Sequence, residues 1–286
     1  MQVRKLLRQR DVRPDKALGQ NFLLDPTILE RIAEAADLGS DNLVLEIGAG
    51  TGALTTFLAR DARHVVALEI DQRLIPILET ELAGFDNVSV IQGDILALDP
   101  AALVRGVVPG PGESPLPYQV VGNLPYYITS AILRHVLEAD PRPGRIVVTV
   151  QREVAQRIVA EPGHMSVLAV SVQFHGDPEL LFSIKPGSFY PSPDVDSAVV
   201  RIDVHPSPPV PDDEVDAFFT VVRAGFSQRR KQLHNSLSAG LGERISKHEA
   251  AEGLEEVGID PRRRAQSLSV EEWITVTRAL RDILQS

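Results

Sequence analysis

Asn42-Leu43-Val44-Leu45-Glu46-Ile47-Gly48-Ala49-Gly50-Thr51-Gly52-Ala53-Leu54 reads as a buried strand, a glycine-rich turn and the first residues of a helix. The run 43–47 is apolar but for Glu46, and Leu54, Phe57 and Leu58 recur beyond the turn at helical spacing. Three glycines at alternate positions keep the turn tight and let backbone approach a ligand closely. A second strand, His64 to Ile70, brings Glu69 to a point 21 residues after Gly48. An acid at that offset can hydrogen-bond both hydroxyls of a ribose.

The same pattern repeats along the chain. Asn87 to Gln92 is a third strand and leads into Gly93-Asp94-Ile95; Tyr118 to Gly122 is a fourth and delivers Asn123. A helix from about Ser130 to Glu138 and a fifth strand, Arg145 to Val150, follow. Strand and helix in alternation predict an α/β, Rossmann-like parallel sheet with helices on both faces. Ligands of such sheets sit beyond the carboxyl ends of the strands, where Gly48, Glu69, Asp94 and Asn123 all fall. The loop departs from the dinucleotide fingerprint Gly-x-Gly-x-x-Gly, and Glu46 is an acid poorly placed beside a pyrophosphate. Both features favour a nucleoside cofactor without pyrophosphate, and S-adenosylmethionine is the candidate. Asp94 either bonds the exocyclic amine of the cofactor adenine or caps a helix.

Asn123-Leu124-Pro125-Tyr126 brings an amide, a rigid proline and an aromatic ring to the end of the fourth strand. The amide oxygen can accept a hydrogen bond from an exocyclic amine, and a carbonyl next to Pro125 can accept a second. Proline biases its predecessor toward extended geometry, which aims that carbonyl. Tyr126 offers a face for stacking. Taken alone, the tetrapeptide reads more readily as a proline turn with a packed tyrosine; the strand-tip residues of the rest of the chain reverse that preference. Upstream, Gln20 and Asn21 stand against Phe22 and Leu23 and form either a ligand wall or a turn. Downstream, prolines at 186, 191 and 193 stiffen a loop expected to expose Phe189 or Tyr190, a second aromatic opposite Tyr126 unless both rings pack under the loop.

Composition sets the frame. The chain has 286 residues, 43% of them hydrophobic, enough for one large domain and a small one, and no window has the length and apolarity of a membrane span. The first eight residues lack the apolar core of a secretory signal. With no cysteine, disulfides, thiolate metal sites and cysteine nucleophiles are excluded, and a cytoplasmic location is expected. Net charge is −10, yet residues 1–16 carry six Lys or Arg against two Asp and residues 222–248 six against one Glu. Two basic patches on an acidic body fit a localised phosphate contact as well as solvated helix faces. Arg-Gly-Val-Val-Pro-Gly-Pro-Gly-Glu-Ser-Pro-Leu-Pro at 105–117 is a surface loop by composition. Residues 151–161 read as a helix, and Met165 to Phe174 and Ser197 to Val204 as two more strands. His205 to Asp213 is a linker. Beyond it Phe218, Phe219, Val222 and Phe226 recur at helical spacing, and Ser269 with Glu272 makes a capping box. The expected division is a catalytic domain, 1–206, and a helical RNA-binding or ribosome-binding domain, 207–286.

Taken together, Leu18-Gly19-Gln20-Asn21-Phe22-Leu23, Glu46-Ile47-Gly48-Ala49-Gly50-Thr51-Gly52, Gly93-Asp94, Asn123-Leu124-Pro125-Tyr126, Pro186-Gly187-Ser188-Phe189-Tyr190-Pro191 and Phe226-Ser227-Gln228-Arg229-Arg230-Lys231 resemble the small-subunit ribosomal RNA adenine dimethyltransferase family. The resemblance runs from about Leu18 to Leu280. It implies methyl transfer from S-adenosylmethionine to two adjacent adenines near the 3′ end of 16S ribosomal RNA, with a role in subunit biogenesis. By it, Asn21, Leu23, Gly48, Glu69, Asp94 and Asn123 would contact the cofactor. Their neighbours Gln20, Glu46, Gly50, Ile70 and Ile95 complete the candidate set. Asn123, Leu124, Pro125 and Tyr126 would hold the target adenine, with Phe189 on its other face, and Arg229, Arg230 and Lys231 would meet RNA. No metal or covalent nucleophile is needed, because the sulfonium methyl is already activated. The expected partner is 16S ribosomal RNA in the small subunit or its precursor, met by a monomer away from any membrane. A 23S ribosomal RNA adenine methyltransferase of the antibiotic-resistance type and an assembly factor acting mainly by binding are the alternatives.

Overall fold

A computed structural model describes residues 3–107 and 117–281; most of the proline- and glycine-rich loop expected at 105–117 lies outside the described residues. In chain order the elements are α1 (Val3–Gln9), β1 (Phe22–Leu23), α2 (Pro26–Ala36), β2 (Leu43–Ile47), α3 (Thr55–Asp61), β3 (His64–Glu69), α4 (Ile75–Glu81), β4 (Val88–Gln92), α5 (Pro100–Val107), β5 (Tyr118–Asn123), α6 (Thr129–Leu137), β6 (Arg145–Gln151), α7 (Arg152–Ile158), α8 (Val167–His175), β7 (Gly176–Ile184), β8 (Phe189–Tyr190), β9 (Ser197–Val204), α9 (Asp212–Gly225), α10 (Leu233–Leu241), α11 (Lys247–Glu256) and α12 (Val270–Ala279). They form two compact units, Met1–Ala155 with Asp177–Pro206, and Gln156–Gly176 with Ser207–Ser286.

The first unit is built on a seven-stranded sheet in the order β4-β3-β2-β5-β6-β9-β7. From β4 to β6 neighbouring strands run parallel, and β9 runs antiparallel to β6. The expected parallel sheet is therefore extended by an antiparallel edge. Central strand β2 is buried along its whole length, which is why its sequence does not alternate. Leu54 and Leu58 near and on α3, Ile32 on α2, and Val44 and Val121 on the sheet share one apolar cluster. Helix α2 begins at a capped turn: Asp25 accepts a hydrogen bond from Thr27 N at 3.0 Å, and Pro26 occupies the first turn.

The second unit is helical. Phe174 stacks on Phe218 with ring centroids 4.4 Å apart, and Trp273 is fully buried in the same cluster. Ser269 and Glu272 form the expected capping box. Two expectations fail here. Met165 to Phe174 is not a strand: helix α8 covers Val167–His175, with Ser166 accepting from Ala169 N at 3.2 Å. The run is apolar on nearly every face, so periodicity alone does not separate strand from helix. Segment 156–176, assigned by sequence to the catalytic domain, belongs to the helical unit, where Met165, Ala169, Val170 and Phe174 complete the apolar cluster. Sequence reading also missed β7, immediately after it, and the short strands β1 and β8.

Candidate active site

Strands β2, β3 and β5 end side by side, and two cavities that share Phe22, Gly48, Gly50 and Asn123 in their walls lie at the tips. The smaller, about 40 Å³, is lined by Leu23, Glu46, Gly48, Gly50, Thr51 and Asn123 among others. The larger, about 70 Å³, is lined by the segment Leu18–Phe22, by Gly48, Gly50, Glu69, Ile70 and Leu74, and by Asn123–Tyr126. The turn between them needs glycine: Gly48 and Gly50 have φ of +75° and +62°, and a side chain on Gly50 would press on the Phe22 ring at 3.2 Å.

Two carboxylates occupy this floor in different states. Glu69 accepts from Gly50 N at 2.8 Å with one oxygen and from Asp71 N at 2.9 Å with the other. Burial pushes its carboxyl up and these backbone donors restrain it. Each oxygen keeps a further lone pair, so the group can still receive two ribose hydroxyls. Glu46 is 1% exposed, and its Oε2 has no hydrogen-bond partner among the described residues. Burial pushes Glu46 up to about 8; the neighbouring Thr55 hydroxyl acts the other way, and the Glu69 charge adds to the rise. That hydroxyl makes no hydrogen bond of its own among the described residues, so it does not satisfy Oε2. A buried carboxylate lacking a partner at a ligand cavity asks for a cationic or N–H donor.

The segment leading into β1 forms the opposite wall as a strap. Asn123 Nδ2 donates to Asn21 O at 2.7 Å. Gln20 Nε2 donates to Asp71 Oδ2 at 2.7 Å, and Asp15 N donates to Gln20 Oε1 at 2.7 Å. Arg73 donates twice to Asp71, at 2.8 and 2.6 Å, and approaches Asp15 at 3.7 Å. The guanidinium holds the Asp71 carboxyl below the ordinary carboxylate range, against the effect of burial and with help from Gln20. Gln20 lines the cavity, but both ends of its amide are engaged with protein. Sequence reading missed Asp71 and Arg73, although Glu69-Ile70-Asp71-Gln72-Arg73 carried a signal: Asp71 Oδ1 also takes Arg73 N at 3.0 Å in a local turn.

In Asn123-Leu124-Pro125-Tyr126 the side-chain amide, one peptide and the ring are each fixed by a bond to another part of the chain. The Asn21 carbonyl can only accept, so it fixes Nδ2 of Asn123 toward itself and leaves Oδ1 as the outward atom. Leu124 N donates to Thr149 O at 3.1 Å, which pins that peptide. The Pro125 carbonyl accepts from the Thr129 hydroxyl at 3.0 Å. Asn123 Oδ1 and Leu124 O have no hydrogen-bond partner among the described residues. The Tyr126 ring is tethered by its hydroxyl to Ser197 Oγ at 2.5 Å, and burial raises the pKa of that phenol while the Ser197 bond works against the rise.

Other expected residues fall less simply. Ile70 is 46% exposed at the larger cavity. Asp94 is exposed and Ile95 buried, and neither lines the two cavities; Asp94 Oδ1 takes Leu96 N at 2.9 Å, leaving Oδ2 for another donor. Phe189 is a correction. It is 0% exposed and lines neither cavity, so it does not present a face opposite Tyr126. The reason is pairing: β8 runs against β1, so Phe189 sits beside Leu23 and Tyr190 beside Phe22. Side-chain alternation sends the first pair to the sheet cluster and the second to a cluster with Leu6 and Leu7, where Arg4 lies 4.9 Å over the Tyr190 ring. Arg229, Arg230 and Lys231 lie in the helical unit, exposed and without ion pairs among the described residues.

A nucleoside with a cationic amino-acid end fits these groups: Glu69 for the ribose, and Glu46 Oε2 for an ammonium. Comparison with known proteins agrees. The family model described as ribosomal RNA adenine dimethylase matches residues 13–282. Ribosomal RNA small subunit methyltransferase A of Moorella thermoacetica is 45% identical over 278 residues, covering 96% of this chain and 95% of that protein. The protein of the same name from Lactiplantibacillus plantarum is 44% identical over 282 residues, covering 97% and 94%. Among solved structures, a dimethyladenosine transferase from Plasmodium falciparum superposes with a TM-score of 0.77 at 25% identity, covering 92% of this chain and 98% of that one. The 23S rRNA methyltransferase ErmE does so with a TM-score of 0.71 at 30% identity, covering 91% and 99%. With its strand-tip site and with relatives along nearly its whole length, this chain belongs to the ribosomal RNA adenine dimethylase family, enzymes that take their methyl group from S-adenosylmethionine.

Proposed function

We propose that the protein methylates N6 of two adjacent adenines near the 3′ end of 16S ribosomal RNA, in the small subunit or its precursor, and so takes part in subunit biogenesis in the cytoplasm. One observation carries the reading: at the cavity beyond β5, Asn123 Oδ1 and Leu124 O are two acceptors with no partner among the described residues. An exocyclic amine has two hydrogens to give. Once both are accepted, the nitrogen is drawn out of conjugation with the ring and its lone pair is oriented.

The bound cofactor supplies a methyl group already activated on sulfur. The chain supplies position. Asn123 is held by its bond to Asn21, and Leu124 by its bond to Thr149, so both acceptors are fixed before substrate arrives. Placing amine and methyl in line accounts for much of the rate. The adenine must leave its stack to enter, and the Tyr126 ring, fixed through Ser197, offsets part of that cost. Arg229, Arg230 and Lys231 form an exposed cationic cluster suited to phosphates. The relatives at about 44–45% identity carry the small-subunit name, which favours 16S over 23S RNA. Labelled S-adenosylmethionine incubated with undermethylated small subunits, followed by nucleoside mapping, tests this directly. Label in two neighbouring N6,N6-dimethyladenosines of 16S RNA is expected; no label at adjacent adenines of 16S RNA, with label appearing in 23S RNA when large subunits are supplied instead, refutes the assignment.

A further inference from the structure

Phe189 is buried, but another ring stands free at the site. Tyr127 is 63% exposed, more than any other large hydrophobic side chain among the described residues. It follows Tyr126 directly and lies on the strap. A Cβ built on Gly19 would be 3.1 Å from the Tyr127 ring and 3.4 Å from Pro125, and Gly19 has φ of +64°. The missing side chain is what lets the ring settle there. Gly19 and Pro125 both line the larger cavity, so the ring borders its rim. The hydroxyl of Tyr127 has no partner among the described residues. The turn beneath it is closed by Gly19 N donating to Lys16 O at 3.1 Å. Lys16 is exposed and makes no ion pair among the described residues, and its neighbour Asp15 is engaged with Ala17 N at 2.8 Å. An exposed aromatic face thus borders the cavity in which the acceptors lie, and an exposed Lys16, without an ion pair among the described residues, starts the turn that carries Gly19.

We propose that Tyr127 and Lys16 form a subsite for the nucleotide adjoining the target adenine: its base stacks on the exposed face of Tyr127, and its phosphate meets Lys16. The inference rests on the reading that an extruded adenine is held at Asn123. Extruding one base strips its neighbour of a stacking partner, and a ring at the rim replaces that partner. Where two adjacent adenines are both substrates, the platform holds one while the other is in the cavity. A ring that only props the strap would instead influence the cofactor, since the strap lines the cofactor cavity.

The test crosses a protein change with an RNA change. Small subunits are reconstituted with 16S RNA carrying either both target adenosines or an abasic nucleotide in place of one, and transfer to the remaining adenine is measured. For the unaltered protein, kcat/KM is expected to fall about 5- to 150-fold on the abasic substrate, the range of one lost base–aromatic stack. Tyr127→Ala should show a comparable loss on intact subunits, no further loss on abasic ones, and unchanged S-adenosylmethionine affinity by calorimetry. Tyr127→Trp should restore transfer, and Lys16→Gln should lower the slope of log affinity against log salt by about one. The subsite is overturned if Tyr127→Ala matches the unaltered protein on intact subunits, if it still loses rate when the neighbouring base is removed, or if its cofactor affinity falls in step with transfer. Absence of any product with the unaltered protein and intact subunits refutes the adenine reading itself, so the two failures are distinguishable.

Discussion

The tips of β2 and β3 and the tip of β5 lie next to each other and are finished differently. On the β3 side polar groups bond to one another: Glu69 to Gly50 and Asp71, Asp71 to Gln20 and Arg73, Gln20 to Asp15. On the β5 side each group is held by one bond and left with an acceptor that has no partner among the described residues: Asn123 through Nδ2, Leu124 through its N–H. Binding a cofactor needs a rigid, preformed wall. Reorienting an amine lone pair needs acceptors that are fixed in direction yet keep a lone pair for the substrate. On the proposed function, the difference separates holding the methyl donor from preparing the methyl acceptor.

Changes on the two sides should therefore fall on different measurements. The largest effect is expected from Asn123→Ala, which removes an acceptor and the tether on Asn21; transfer from saturating S-adenosylmethionine should fall about 100-fold or more, the scale seen when one oriented hydrogen-bonding group is removed from an active site. A loss confined to cofactor affinity would dissolve the distinction. Next, Tyr126→Ala should slow transfer about 5- to 150-fold, from one lost stack, with cofactor affinity nearly kept; Tyr126→Phe, which loses only the Ser197 tether, should be milder. If cofactor affinity and turnover dropped together, the ring would belong to the donor side.

Gln20→Ala belongs to the donor side. It should weaken S-adenosylmethionine binding about five- to tenfold, the scale of one net hydrogen bond, and change kcat less. Asp71→Ala added to it should cost less than the sum of the two, since the residues share one network. Strict additivity in calorimetry would show that the strap is not held through Asp71.

The smallest effect concerns Glu46 and stability. Its folded-state pKa, about 8, lies above the model-compound value of 4.5. The folded state therefore binds more protons than the unfolded state between those pH values, and this contribution to stability is full below about 4.5 and lost as pH rises to about 8. Glu46→Gln removes the titration. The cofactor-free variant should match the unaltered protein in Tm near pH 5 and exceed it by a few degrees near pH 8, while binding S-adenosylmethionine more weakly at the higher pH. Parallel Tm curves across that range would show that Glu46 is not held protonated.

Much of this was legible from local patterns. The glycine turn after β2, the acid at the end of β3, the amide at the end of β5 and the Asp25 and Ser269 caps each depend on residues a few positions apart. Strand-tip residues also share one edge of any parallel sheet, so Gly48, Glu69 and Asn123 could be brought together before a structure was known. The vacancy of the two acceptors was not legible, because it depends on what Asn21 and Thr149 take up from elsewhere in the chain.

The chain order of residues thus determined the α/β class, the glycine turn after β2 and the place of the tetrapeptide at the end of β5, since each is set by spacing along one strand and its loop. Only the tertiary structure decided which apolar cluster each ring of β8 enters, because a two-residue strand takes its facing from its partner β1, and a shift of one residue would exchange Phe189 for Tyr190. It also decided that 156–176 joins the helical unit, because an apolar run without a period takes its place from whatever core accepts it.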